Sequence, residues 1–221
     1  MIHQFEMRPQ AQTYWVDKAG GRQVLLGKSQ PDKDQILTYQ RYRIAYRAIA
    51  RGTDSRTMIS SILPRNCFSS NSMNVAFEPT DERTQLVLLA FLNSFSFDHY
   101  LRQQVRANLT MFFIYQCPVP RLTNSNPNFS LLWSRASRLI CTTPEFDDLA
   151  KAVGLKSHNN GAADPAERAK LRAELDGLVA HLYGLTEAEF AHILGTFPLV
   201  PQPVKVAAQN AYRDVERGLI S

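Results

Sequence analysis

The sequence predicts an α+β fold: a curved, mostly antiparallel sheet with an internal helix, followed by a helical region. Three observations carry that expectation. Short β-prone runs bounded by Gly and Pro fill the first half, and one long apolar run without Gly or Pro interrupts them. From about residue 123 the pattern changes to capped, amphipathic helices. The expected division is therefore a basic, β-rich unit over residues 1–122 and a helical region over 123–221.

Taken in order, residues 12–27 place two β-prone runs around Gly20-Gly21, a hairpin signal because both glycines accept positive φ. The polar segment SQPDKDQ follows, and its Pro31-Asp32 reads as a turn. Residues 39–51, YQRYRIAYRAIAR, read as a strand, with Arg41, Arg43, Arg47 and Arg51 on one face and Tyr42, Ile44, Tyr46 and Ala48 on the other. A helical period would also align Arg43, Arg47 and Arg51. After the loop GTDS, RTMISSILP alternates and ends at a Pro, and SSNSMNVAFEP reads as a further short strand. TQLVLLAFLNSFSFDHYLRQQV is the internal helix, preceded by Asp81-Glu82 and divisible at Asn93-Ser94. NLTMFFIYQCPVP, aromatic and closed by Pro-x-Pro, is expected to be a strand.

The second region opens with the loop TNSNPNFS, and helices are expected over 129–141 and 144–153. Asp164-Pro165 opens a longer helix with a Leu171, Leu175, Leu178, Leu182 stripe that ends at Gly184. Thr186 and Glu189 form a capping box for the next helix, and PVKVAAQNAYRDVERGL is the last.

Composition excludes several classes. An apolar fraction of 44% with mixed charge argues against disorder. Three widely spaced cysteines, Cys67, Cys117 and Cys141, argue against a disulfide framework or a zinc knuckle. No window approaches a membrane span, and MIHQFEMRPQ has no apolar signal core, so a cytoplasmic protein is expected. Nucleotide-binding glycine loops, GxSxG and HExxH are missing, and the five histidines sit at no metal-ligand spacing.

The net charge of +5 is unevenly placed. Residues 1–122 hold 15 Lys and Arg against 9 Asp and Glu, while residues 123–221 hold 10 against 11. In the first region Arg outnumbers Lys by 12 to 3, and the planar guanidinium suits phosphate oxygens and guanine edges. A basic region of this kind points to nucleic acid, or is simply solvated.

Three stretches resemble one family, the C-terminal target-recognition domain of N6-adenine DNA methyltransferases and of fused type II restriction–modification enzymes. The first is Tyr42-Arg43-Ile44-Ala45-Tyr46-Arg47-Ala48-Ile49-Ala50-Arg51 with Asp54-Ser55-Arg56-Thr57-Met58-Ile59 and Ile62-Leu63-Pro64. The second is Leu92-Asn93-Ser94 with Tyr100-Leu101-Arg102 and the exit Pro118-Val119-Pro120. The third is Leu175-Asp176, Val179 and Leu182-Tyr183-Gly184-Leu185-Thr186 with Glu189. The resemblance covers most of residues 39–194. It implies a specificity module of a restriction–modification or phage-defence system that is non-catalytic by itself. S-adenosylmethionine and magnesium would belong to catalytic methylase or nuclease parts that these residues do not include, and the implied partners are double-stranded DNA and that catalytic domain or subunit.

Specific recognition needs cations that locate phosphates and side chains that reach base edges. Arg41, Arg43, Arg47 and Arg51 are candidates for the first kind of contact. Arg56, Asn66, Asn71, Ser72 and Asn74, near turns, are candidates for either, as are Arg102, Arg106 and Asn108 after the helix. Arg56 has a second reading as a brace for its loop, and Tyr42 and Tyr46 as core residues. No residue is assigned a catalytic or metal-binding role. The alternatives are a small metal-dependent nuclease and a protein-interaction subunit that docks through its helical half.

Overall fold

The computed structural model describes residues 38–69, 72–76, 81–105 and 107–220. The expected Gly20-Gly21 hairpin, the Pro31-Asp32 turn, Asn71 and Arg106 lie outside them. The fold is α+β, with a small three-stranded antiparallel sheet and eight helices among the described residues.

Strands β1 (Arg43–Arg47), β2 (Ser60–Leu63) and β3 (Met73–Ala76) form a sheet of order β2-β1-β3. Ile44 pairs with Ile62 on one side and Ala76 on the other, which makes the Tyr- and Arg-bearing strand the central one. The long apolar run divides where the sequence suggests. Helix α1 (Glu82–Leu92) starts at Asp81, whose carboxylate accepts from the Arg83 and Thr84 amides at 3.0 Å each. Helix α2 (Phe95–Arg102) starts at Ser94, whose hydroxyl accepts from the Phe97 amide at 3.2 Å.

One expected strand is a helix. The aromatic run over residues 108–120 predicts a strand, yet Met111–Tyr115 form the short helix α3 after Thr110. A strand would put Phe112 and Ile114 on one face and Phe113 and Tyr115 on the other, so both faces would need cover. The helical turn instead packs Met111, Phe113 and Ile114 against the core and releases Phe112 and Tyr115 to the surface. The first half is therefore less β-rich than expected: the described part of residues 38–122 carries three strands and three α-helices.

The helical region follows its caps. Helix α4 (Pro127–Ile140) begins with Pro127 at its first position and Asn126 accepting from the Asn128 amide at 2.9 Å. Helix α5 (Asp147–Ala152) is short. Asp164 caps α6 (Pro165–Leu182), and Gly184 past its end has φ +69, the left-handed conformation that favours glycine. The Thr186–Glu189 capping box opens α7 (Glu187–Gly195), and α8 (Gln202–Glu216) closes the fold.

One apolar cluster joins Ile44 and Tyr46 of the sheet, Leu89 and Phe91 of α1, Leu132 of α4 and Leu175 and Val179 of α6, so it runs across residue 122. A second gathers Phe95, Phe190, Leu194, Phe197 and Tyr212. Helices α6 and α8 approach closely at Gly177, where a Cβ would lie 2.7 Å from the Tyr212 amide nitrogen. Among the described residues no helix is long and apolar enough to cross a membrane.

Candidate functional site

The candidate arginines separate into two groups, and burial decides which is which. Asp98 on α2 is fully buried, and both its oxygens accept from the Thr57 amide, at 3.1 and 3.0 Å. Arg56 Nε lies 3.2 Å from Asp98 and Arg102 Nε 3.8 Å, so one carboxylate faces two guanidiniums. Arg56 also donates to the Asn93 carbonyl and lies 4.0 Å over the Phe95 ring. Arg102 donates to the Asp54 carbonyl at 2.8 Å and the Thr196 carbonyl at 3.2 Å, with its guanidinium 4.0 Å over Phe197. Burial pushes the Asp98 carboxyl up, and the two arginines and the Thr57 amide oppose that shift.

Arg47 belongs to the same assembly. It donates to Asp54 Oδ2 at 2.7 Å, to the Thr57 carbonyl at 3.3 Å and to the Arg56 carbonyl. These bonds brace the loop between β1 and β2 from within, while Arg56, Thr57 and Arg102 tie it to Asp98 of α2 and to Thr196 after α7. At the other end of β1, Arg43 is buried and donates to the Cys67 carbonyl. The sheet face expected to present cations is thus closed over Arg43 and Ala45, and Tyr42 and Tyr46 are core residues. Asn66 holds a turn with φ 63, its amide donating to the Tyr39 carbonyl at 2.8 Å.

Beside this assembly, Asp176 of α6 is buried and accepts from the Phe95 amide at 2.9 Å. Burial pushes its carboxyl up to about 6. Because the folded chain holds this proton more tightly than the unfolded one, its contribution to stability falls as pH rises from roughly 4 to roughly 6. Asp176→Asn keeps an acceptor for Phe95 and removes the buried charge. Relative to the native chain it is expected to be more stable at neutral pH, by on the order of 1–3 kcal/mol, and equal to it below about pH 4. Urea titrations of both proteins at several pH values check this, and a less stable variant at neutral pH contradicts it.

The second group lies where the chain leaves β1. The Ala50 amide donates to the Ala107 carbonyl at 3.0 Å, the Leu109 amide to the Ala48 carbonyl at 2.8 Å, and Ile49 bridges to Asn108. Asn74 Nδ2 donates to the Leu109 carbonyl at 2.8 Å. Gly52 permits the approach, since a Cβ there would meet the Arg102 carbonyl oxygen at 3.0 Å. The structure therefore brings Arg51, Asn74 and Asn108 together, with Ser72 joined to them through its carbonyl bond to the Ala48 amide. Arg51 is exposed, and neither it nor exposed Arg41 and Arg121 has an ion-pair partner among the described residues.

Sequence reasoning missed the aromatic part of this surface. Ile49, Phe112 and Tyr115 are 65%, 67% and 75% exposed, far more than large apolar side chains usually are. The i,i+3 spacing of Phe112 and Tyr115 and the nearby Pro-x-Pro were the available signal. Residues 99–144 contain no Asp or Glu and five arginines, at 102, 106, 121, 135 and 138, while on the neighbouring segment Asp54 accepts from the Arg51 amide at 3.1 Å and pairs with Arg47.

A cavity of about 200 Å³ lies near the start of α2, lined by His99, Tyr100, Tyr183 and Ile193 among others. Thr196 Oγ1 donates to the Ile193 carbonyl at 2.7 Å, so at 3.1 Å His99 Nδ1 is the donor to that hydroxyl. Burial, followed by His192 and Arg102, lowers the His99 pKa. Among the described residues no group of three or more His, Cys, Asp or Glu is placed to hold a metal ion. Compared with known proteins, the chain matches no family model, no curated protein and no solved structure.

Proposed function

We propose that this chain is a sequence-specific double-stranded DNA recognition module of a restriction–modification or DNA methyltransferase system. The observation that carries the reading is the surface around the Ile49–Asn108 bridge. Arg51, without an ion-pair partner among the described residues, and exposed Asn108 are brought together there, and the exposed rings of Phe112 and Tyr115 follow Asn108 within the acid-free stretch 99–144. That combination fits a polyanion whose base edges carry hydrogen-bonding groups.

On this reading Arg51, Arg121 and Arg41 locate phosphates, while Asn108 and neighbouring amides reach bases. Arg43, Arg47, Arg56 and Arg102 act indirectly, by holding the loops that present those groups. The catalytic methylase or nuclease partner supplies the bond chemistry, and S-adenosylmethionine and magnesium belong with it. Selection from a pool of randomised duplexes tests the proposal. A recovered consensus sequence is the expected outcome, and a bound pool identical in composition to the input overturns sequence specificity.

A further inference from the structure

The cavity of about 200 Å³ beside α2 takes no part in the proposed DNA contacts. Most of its lining is apolar or already satisfied. Phe97, Leu185 and Ile193 contribute hydrocarbon, the Tyr183 hydroxyl donates to the Pro118 carbonyl at 2.8 Å, and the Cys117 thiol donates to the Phe113 carbonyl at 3.3 Å. His99 and Ser96 differ. With His99 Nδ1 donating to Thr196 Oγ1, the neutral ring leaves Nε2 as an acceptor, and no group among the described residues donates to it. Burial lowers the pKa of this ring, so near neutral pH it keeps that lone pair. Ser96 is buried at 8% exposure, and its hydroxyl has no hydrogen-bond partner among the described residues. A buried polar group in that condition costs free energy until something bonds to it. Water would serve these two groups and leave the hydrocarbon around them uncovered, whereas a ring carrying one polar group covers both kinds of surface. Size narrows the choice, since an apolar cavity of about 150 Å³ takes up benzene, and this one therefore accommodates a ring with a substituent. Tyr100 also lines the cavity while 44% exposed, so the cavity meets solvent there.

We propose that this cavity is a binding site for a phenol, a single neutral aromatic ring with a free hydroxyl. The ring packs on Phe97, Leu185 and Ile193. Its hydroxyl donates to His99 Nε2 and accepts from Ser96, which satisfies both unpartnered groups at once. The site is independent of DNA recognition, and failure of either leaves the other intact.

Titration calorimetry of the full chain tests this with p-cresol and with p-xylene, which has the same shape but a methyl in place of the hydroxyl. The native chain is expected to bind p-cresol saturably and about tenfold more tightly than p-xylene. A merely apolar cavity would give the reverse order, because the hydroxyl would shed its water without a partner. In nitrogen NMR spectra of the native chain, p-cresol is expected to shift the His99 Nε2 resonance and p-xylene to leave it in place. His99→Phe keeps an aromatic ring and removes the acceptor, and it is expected to reverse the order of the two ligands. No saturable binding of p-cresol, equal or tighter binding of p-xylene, or an unmoved His99 resonance overturns the proposal whether or not the His99→Phe chain folds. A preference for p-cresol that survives in folded His99→Phe overturns it as well.

Discussion

Asp98→Ala is expected to destabilise the chain by about 3–5 kcal/mol, a large share of the roughly 5–15 kcal/mol that keeps a domain folded. The fully buried carboxylate faces Arg56 and Arg102 and accepts the Thr57 amide through both oxygens. Removing it strands two guanidiniums in a poorly hydrated setting and leaves a buried amide without its acceptor. An unpaired buried charge costs more than the intact pair contributes, so the effect exceeds that of breaking an exposed ion pair such as Arg65–Asp148. Asp98→Asn should fall between the native chain and Asp98→Ala, since it retains an acceptor for Thr57 but no charge. Urea denaturation of the three proteins measures the difference, and a destabilisation under about 1 kcal/mol for Asp98→Ala would show that the cluster does not hold the sheet to the helices.

Arg51→Ala combined with Arg121→Ala is expected to do the opposite: leave stability unchanged and remove most duplex affinity. Both side chains are exposed and without an ion-pair partner among the described residues. Each phosphate that is no longer neutralised should reduce the slope of log affinity against log salt by about 1, so the double variant should differ from the native chain by about 2. Weakening should be uniform across duplex sequences, because phosphate contacts carry no sequence information. Arg47→Ala or Arg56→Ala should act through folding, weakening binding only where the loop between β1 and β2 comes apart. Fluorescence anisotropy at several salt concentrations, beside thermal midpoints, separates the two groups. A double variant that binds with the native slope would refute the assignment of these two arginines.

The elements legible in the sequence were those written in local residue chemistry. The Asn93-Ser94 break, the Asp164-Pro165 start and the Thr186–Glu189 capping box each satisfy backbone groups within a few residues, so spacing alone locates them. The three strands were legible through alternation and turn residues. The fate of the arginines was not. The same guanidinium suits a phosphate or a buried carboxylate, and the deciding partners are remote in sequence: Thr57 finds Asp98 across 41 residues, and Phe95 finds Asp176 across 81. Helix α3 misled for a related reason. Its aromatic composition favours a strand, yet packing of Met111, Phe113 and Ile114 on the core settles the local conformation. The alternation in β1 suggests a half-exposed strand, whereas both its faces are covered: Ile44 and Tyr46 lie in the main apolar cluster, and Arg43 is buried against the Cys67 carbonyl.

The most direct test of DNA recognition by this chain is the salt dependence of its affinity for a duplex. On the proposed reading, three exposed arginines without an ion-pair partner among the described residues, at 41, 51 and 121, are assigned to phosphates, so about three phosphates should be neutralised and the slope should be near −3. Affinity should then fall about fortyfold between roughly 50 and roughly 200 mM salt. A folded chain that binds no duplex at the lower salt, or whose affinity is the same at both, would contradict it.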